Sequence, residues 1–204
     1  LSSLLVIAMH VLFVNLDAIR RTKSGLKYIN VPFDQEPIPR SANVLQSYAN
    51  QGFSIYGISN QGGIECGYKT LDSAFKEMQV TLNIFPQINS ILFSPLINGT
   101  VCWVVSRSSP PRGFTWIPNT SQPMWVNGQW VFPNQLFAYG VVGEPRVRNF
   151  RKSSSGMIDL VLSQRGIPYH QDSLMIGNCD GDAYCANSRG VTFIPAYSLL
   201  GVGE

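Results

Sequence analysis

The chain has 204 residues, of which 45% are apolar and only 13% charged, and its 15 Lys and Arg against 12 Asp and Glu give a formal net charge of +3. That length suits one large domain or a domain with an accessory segment, and the composition excludes a disordered chain, which combines low hydrophobicity with high charge. The mild positive balance gives no ground for a nucleic-acid partner.

The chain begins at Leu1 rather than Met, which is read as the removal of an earlier segment. Residues 4–16 are apolar except His10 and Asn15, and Arg20 and Arg21 follow. Positive charge behind the apolar run is the wrong order for a signal peptide, and the run is short of the ~20 residues that span a bilayer. It is taken as a hydrophobic N-terminal helix ending near residue 23. A helix apolar all round must be buried, so Leu4, Leu5, Ile7, Val11, Leu12 and Phe13 are assigned to assembly with other subunits, with transient membrane contact as a second use. Pro32, Pro37 and Pro39 mark an extended connector. The expected organisation is a helix over 1–29, a connector over 30–41 and a β-rich globular domain over 42–204.

Within that domain, residues 42–50 read as a short helix and 53–58 as a strand, closed by Ser59-Asn60-Gln61-Gly62-Gly63. Leu71, Ala74, Phe75 and Met78 recur at helical spacing and predict an amphipathic helix over 70–80, packed on a sheet. Short β-like runs follow at 101–105, 124–126, 129–132, 136–142, 157–162 and 191–194. Asn127-Gly128 between the last residues of two aromatic-rich runs predicts a two-residue hairpin turn, with Trp125 opposite Trp130. The fold class expected is α+β: a hydrophobic N-terminal helix, then a mostly antiparallel β-rich domain with one packed amphipathic helix.

Trp116, Trp125 and Trp130, set among prolines, either fill a core, the usual fate of large aromatics, or form a platform for a glycan or cell-surface ligand. Asp180 and Asp182 alternate as calcium ligands do; the plainer reading is an ordinary turn. No other cofactor is expected. Cys66, Cys102, Cys179 and Cys185 lack zinc-ligand spacing and are read as two disulfides of unassigned pairing in an oxidising compartment. Arg146, Arg148, Arg151 and Lys152 form a basic cluster, read as a solvated loop or as a contact for an acidic glycan, a nucleic acid or an acidic partner, with no nucleic-acid-binding motif beside it. Asn98-Gly99-Thr100 and Asn119-Thr120-Ser121 match the glycosylation sequon. His170 is the one histidine outside the N-terminal segment and has no nucleophile motif beside it, so no catalytic residue is assigned and the chain is read as non-enzymatic.

The low charge, offset by Ser, Asn, Gln, Gly and Pro, is a composition met in pili, capsids and secreted β domains. The apolar helix after a non-Met start, Cys66 at the entrance of the helix over 70–80, and Cys185 ahead of the apolar run at 191–194 together resemble the type IV pilins of class b, although Leu5 stands where that family has Glu. The resemblance implies a structural subunit of an extracellular filament or surface assembly, with homo-oligomeric partners through the N-terminal helix and adhesion as a further role. The alternative is a viral surface or capsid protein, or a secreted glycan-binding module. Either way the location is extracellular or on a cell or virion surface.

Overall fold

The computed structural model of the protein describes residues 10–115, 124–126, 129–131, 149–167 and 173–201. The apolar run after His10 is a strand, β1 (Val11–Asn15), and every residue of it is buried. Its side chains alternate. Leu12 and Val14 join one hydrophobic cluster, while Val11 and Phe13 join another on the opposite face. A strand covered on both faces has no polar side, so it reads as a continuous apolar run. Such a run cannot be told from a buried helix by periodicity alone, and this is why the expected N-terminal helix fails over residues 11–15. Val11, Leu12 and Phe13 are core residues of a sheet. Leu4, Leu5 and Ile7 lie outside the described residues.

β1 leads through a 3-10 turn, Leu16–Ala18, to β2 (Arg20–Arg21), which pairs antiparallel with β3 (Glu36–Pro37). There follow α1 (Ser41–Asn50), β4 (Ser54–Asn60), α2 (Leu71–Ile84), β5 (Ile88–Ser94), β6 (Val101–Ser106) and β7 (Arg112–Thr115). The hairpin of β8 (Met124–Val126) and β9 (Gln129–Val131) stands as its own two-stranded sheet. The chain then forms α3 (Gly156–Gln164), β10 (Ser173–Gly177), α4 (Asp180–Asn187), β11 (Thr192–Pro195) and α5 (Ala196–Leu200).

The main sheet has seven strands in the order β11-β10-β1-β4-β5-β6-β7. Pairings from β11 through β5 are parallel, and in this sheet only the β5–β6 and β6–β7 pairings are antiparallel. Parallel neighbours need crossover connections, and α1, α2 and α4 fill that role. Ala74, Met78 and Leu82 of α2 pack with Leu45 of α1 against Leu12, Val14 and Ile91. Met157, Ile158 and Val161 of α3 and Ala186 of α4 cover Val11, Phe13 and Leu92 on the other face. The fold is therefore an α/β layer structure on a mixed, mostly parallel sheet, which corrects the expected α+β domain with antiparallel strands.

The connector at 30–41 does not set β1 apart, because β1 lies inside the same sheet, paired with β4 and β10. It is tied down by a buried polar cluster instead. Arg20 Nη2 meets Glu77 Oε1 at 2.6 Å and its Nη1 donates to Gln35 Oε1 at 2.8 Å, while Lys69 Nζ lies 2.5 Å from Glu77 Oε2. The amphipathic helix expected over 70–80 is α2, with the Thr70 hydroxyl capping it by accepting from Ser73 N at 3.1 Å. The run at 157–162, expected as a strand, is helix α3, with Gly156 to Leu162 all buried. Its Asp159 takes a two-pronged contact from Arg189, at 2.5 and 2.9 Å, inside the core. Among the described residues no helix is long and apolar enough to cross a membrane.

Candidate functional site

From β1 the chain builds outward to β4 and β5 on one side, and later to β10 and β11 on the other. The strand order therefore reverses at the β1–β10 boundary. In open α/β sheets ligands bind beyond the carboxyl ends of the strands at such a reversal. The residues there are polar, although the strands that deliver them are not. β1 ends on Asn15, with Asp17 just past it. β4 ends on Ser59 and Asn60, and β10 is followed by Asn178 and by Asp182 in the first turn of α4.

Asn15 is 1% exposed and sits at the centre. Its Nδ2 donates to Asn178 Oδ1 at 2.9 Å and to Asp182 Oδ2 at 2.7 Å. Its Oδ1 accepts from Lys152 Nζ at 2.5 Å and from Asp17 N at 3.2 Å. Asp182 is fully buried; its Oδ2 also accepts from Asn178 N at 3.0 Å, and its Oδ1 faces Lys152 Nζ at 3.3 Å as an ion pair without a hydrogen bond. Asn178 Nδ2 donates to the carbonyl of Asp17 at 3.2 Å. The Asp17 side chain is exposed.

Neighbouring elements hold this cluster in place. Asn60 grips the backbone of Lys152, accepting from its N at 2.7 Å and donating to its O at 3.3 Å. Ser153, next in the chain, has φ 99°, a strained value for a residue with a Cβ. Gly177 is required by close approach, since a Cβ there would lie 2.5 Å from Asp182 Cβ. Arg151 reaches the loop after β4 beside Gly62, and its Nη1 is buried without a hydrogen-bond partner. Burial first, and the Asp182 carboxylate second, push the Cys185 thiol up to about 12 and raise that of Cys179. Both thiols are therefore poor nucleophiles and poor metal ligands at neutral pH.

The residues singled out from sequence fare unevenly. Lys152 is not in a solvated loop: it is 8% exposed and lies at the cluster. Asp182 belongs to the cluster, but as the partner of Asn15 and Lys152, whereas Asp180 is exposed. The expected tight turn at 178–185 is largely helix α4, with Asp182 buried and Asp180 exposed. All four cysteines are free: Cys102 and Cys185 are buried in the core, Cys66 and Cys179 exposed, which corrects the expected disulfides. The hairpin register of Trp125 opposite Trp130 is the expected one. Trp116, Arg146, Arg148, His170 and the sequon at Asn119 lie outside the described residues.

Sequence reasoning missed Asn15, Asp17, Asn60 and Asn178. The available signal was an apolar run broken abruptly by polar residues, as in Val14-Asn15-Leu16-Asp17 and Ile176-Gly177-Asn178, each with a short-range acidic residue behind it.

No family model and no curated protein matches this chain. Solved structures do. The D,D-heptose 1.7-bisphosphate phosphatase from B. bronchiseptica, complexed with magnesium and phosphate, is similar at a TM-score of 0.58 and 12% identity, over 96% of this chain and 87% of that one. A protein from Mesorhizobium loti described as a HAD-like phosphatase is similar at 0.54 and 14% identity, over 90% and 69% of the two chains. An uncharacterized protein from Listeria monocytogenes serotype 4b is similar at 0.50 and 12% identity, over 92% and 77%. At such identities the likeness is one of fold alone, an α/β layer structure on a mostly parallel sheet. It overturns the pilin resemblance and, with it, the filament-subunit reading and its capsid and glycan-module alternatives. It also removes the ground for calling the chain non-enzymatic, because two of these structures are phosphatases by description.

Proposed function

We propose that the strand-end cluster binds the phosphoryl group of a phosphate monoester and hydrolyses the ester slowly, binding being the stronger of the two properties. The observation that supports this most is the ammonium of Lys152, buried at the point where the strand order reverses and held against Asn15. A lysine ammonium is a compact charge suited to phosphate oxygens. Arg151, with its buried unpartnered Nη1, supplies a second cation next in the chain. The phosphate reported with the heptose bisphosphate phosphatase agrees with this ligand class for the fold.

The side chains also set the pace of the reaction. Asn15 presents an amide, which is not a nucleophile, and the Asp182 carboxylate is committed to Asn15 and Lys152. Water is then the attacking group: its oxygen bonds to phosphorus, the ester oxygen leaves with its bonding electrons and takes a proton from solvent, and the exposed Asp17 carboxylate takes the water's proton. Lys152 offsets charge on the phosphoryl oxygens. The magnesium in the structure from B. bronchiseptica is that protein's. Here the donor set does not fit a divalent cation, and no step is routed through one.

The test measures binding and phosphate release together over a panel of phosphomonoesters. The proposal expects saturable binding, slow release, and an Asp17→Asn variant that binds as before but releases no phosphate. It is overturned if no ester binds, or if Asp17→Asn hydrolyses like the parent.

A further inference from the structure

The orientation of Asn15 is dictated by charge. Its amide nitrogen faces the Asp182 carboxylate at 2.7 Å, and its amide oxygen faces the Lys152 ammonium at 2.5 Å. Turning the amide over would set NH2 against the ammonium and oxygen against the carboxylate, so the assignment is unambiguous. A carboxylate at this position would place a second anionic oxygen against Asp182 in a buried site. Two like charges so close require a proton or a cation between them. The amide removes that requirement.

The neighbours of Asn15 are likewise occupied with one another. Asn178 is neutral, its Oδ1 is taken by Asn15, and its Nδ2 occupies the carbonyl of Asp17. Asp182 Oδ1, among the described residues the one buried carboxylate oxygen without a hydrogen bond, looks at the Lys152 ammonium 3.3 Å away. Asn15, Asn178, Asp182 and Lys152 sum to zero charge. Magnesium and calcium are held by anionic and carbonyl oxygens free to coordinate, and among the described residues no group of three or more His, Cys, Asp or Glu could hold a metal.

We infer that this site works without a divalent cation: the Lys152 ammonium is its cation, and the Asn15 amide bridges that ammonium to Asp182. The inference rests on the phosphate-binding reading for its ligand but not for its metal chemistry. A phosphorylated ligand then meets a fixed internal charge, and its affinity is independent of magnesium. Conversely, Asn15→Asp introduces a need for a cation.

The experiment uses the full chain. Manganese is titrated into the wild type and followed by the loss of its free paramagnetic signal, and melting and inorganic phosphate binding are measured in EDTA and in magnesium. The expected result is no bound manganese in the wild type, with the same melting temperature and phosphate affinity in both solutions. Asn15→Asp should melt lower in EDTA, be rescued by magnesium, and bind manganese at one site. If Asn15→Asp does not fold, Asn178→Asp carries the same arms. Stoichiometric manganese binding by the wild type overturns the inference, as does phosphate affinity that rises about tenfold or more with magnesium. A folded Asn15→Asp protein indifferent to cations overturns it as well. If phosphate binds in neither solution, the phosphate-binding reading falls, and the manganese titration still decides this one.

Discussion

Asn60 holds Lys152 by the backbone across 92 residues of sequence, accepting from its N at 2.7 Å and donating to its O at 3.3 Å. Both the end of β4 and the segment ahead of α3 must be folded for the ammonium to reach Asn15. Replacing Asn60 with Ala strips the partners from the part-buried backbone N–H and C=O of Lys152, at a cost of about 1–3 kcal/mol. The expected outcome is lower stability in urea and weaker phosphate binding than in the wild type. Undiminished binding in a folded Asn60→Ala protein would mean that Lys152 is positioned by something else.

Gly177 allows Asp182 to lie against the end of β10. Its Ala variant sets a methyl 2.5 Å from Asp182 Cβ and 2.7 Å from Oδ2. Overpacking of this kind costs about 1–3 kcal/mol, and here it also displaces the carboxylate that orients Asn15. Denaturant melts and phosphate titration of Gly177→Ala should fall together.

Asp159 and Arg189 form a buried pair joining α3 to the turn after α4, with Ser155 Oγ donating to Asp159 at 3.0 Å. Breaking one side of a buried pair costs about 3–5 kcal/mol. Asp159→Leu should lose that much in chemical denaturation, and Asp159→Leu with Arg189→Met should recover part of it. Equal loss in the single and double variants would rule out the charge as the cause.

The cysteines give a stability signature with a definite sign. Burial holds the Cys185 thiol protonated up to about 12, against an ordinary value of 9.0 in the unfolded chain. Between those values the native state keeps a proton that the unfolded state releases, so stability is fully present below pH 9.0 and falls as pH rises towards 12. Cys185→Ala should flatten that alkaline fall. Native alkylation at neutral pH should label Cys66, which is exposed, and spare Cys102 and Cys185 until the chain unfolds.

Local elements were legible where one face stays polar. The Thr70 cap and the spacing of Leu71, Ala74 and Met78 identify α2, and Asn127-Gly128 identifies the β8–β9 register. Elements buried all round were not. β1 and α3 are both short apolar runs, and the sheet makes one a strand and the other a helix through contacts distant in sequence. The site was illegible for a related reason. Asn15, Lys152 and Asn178 are ordinary polar residues until parallel pairing of β1 with β4 and β10 brings three strand ends together. Lys152 in particular looked like one member of a basic loop, because nothing near it in sequence announces Asn60 or Asn15 as its partners.

Lys152 is the cation proposed to bind the phosphoryl oxygens. The most direct measurement is a calorimetric titration of inorganic phosphate into the wild type and into Lys152→Met, with the fold of each followed by near-ultraviolet circular dichroism. A charge-assisted hydrogen bond contributes about 1.5–3 kcal/mol, so the expected result is saturable binding by the wild type and roughly 10- to 100-fold weaker binding by the folded variant. Equal affinity in the two proteins, or no binding by the wild type, would contradict it.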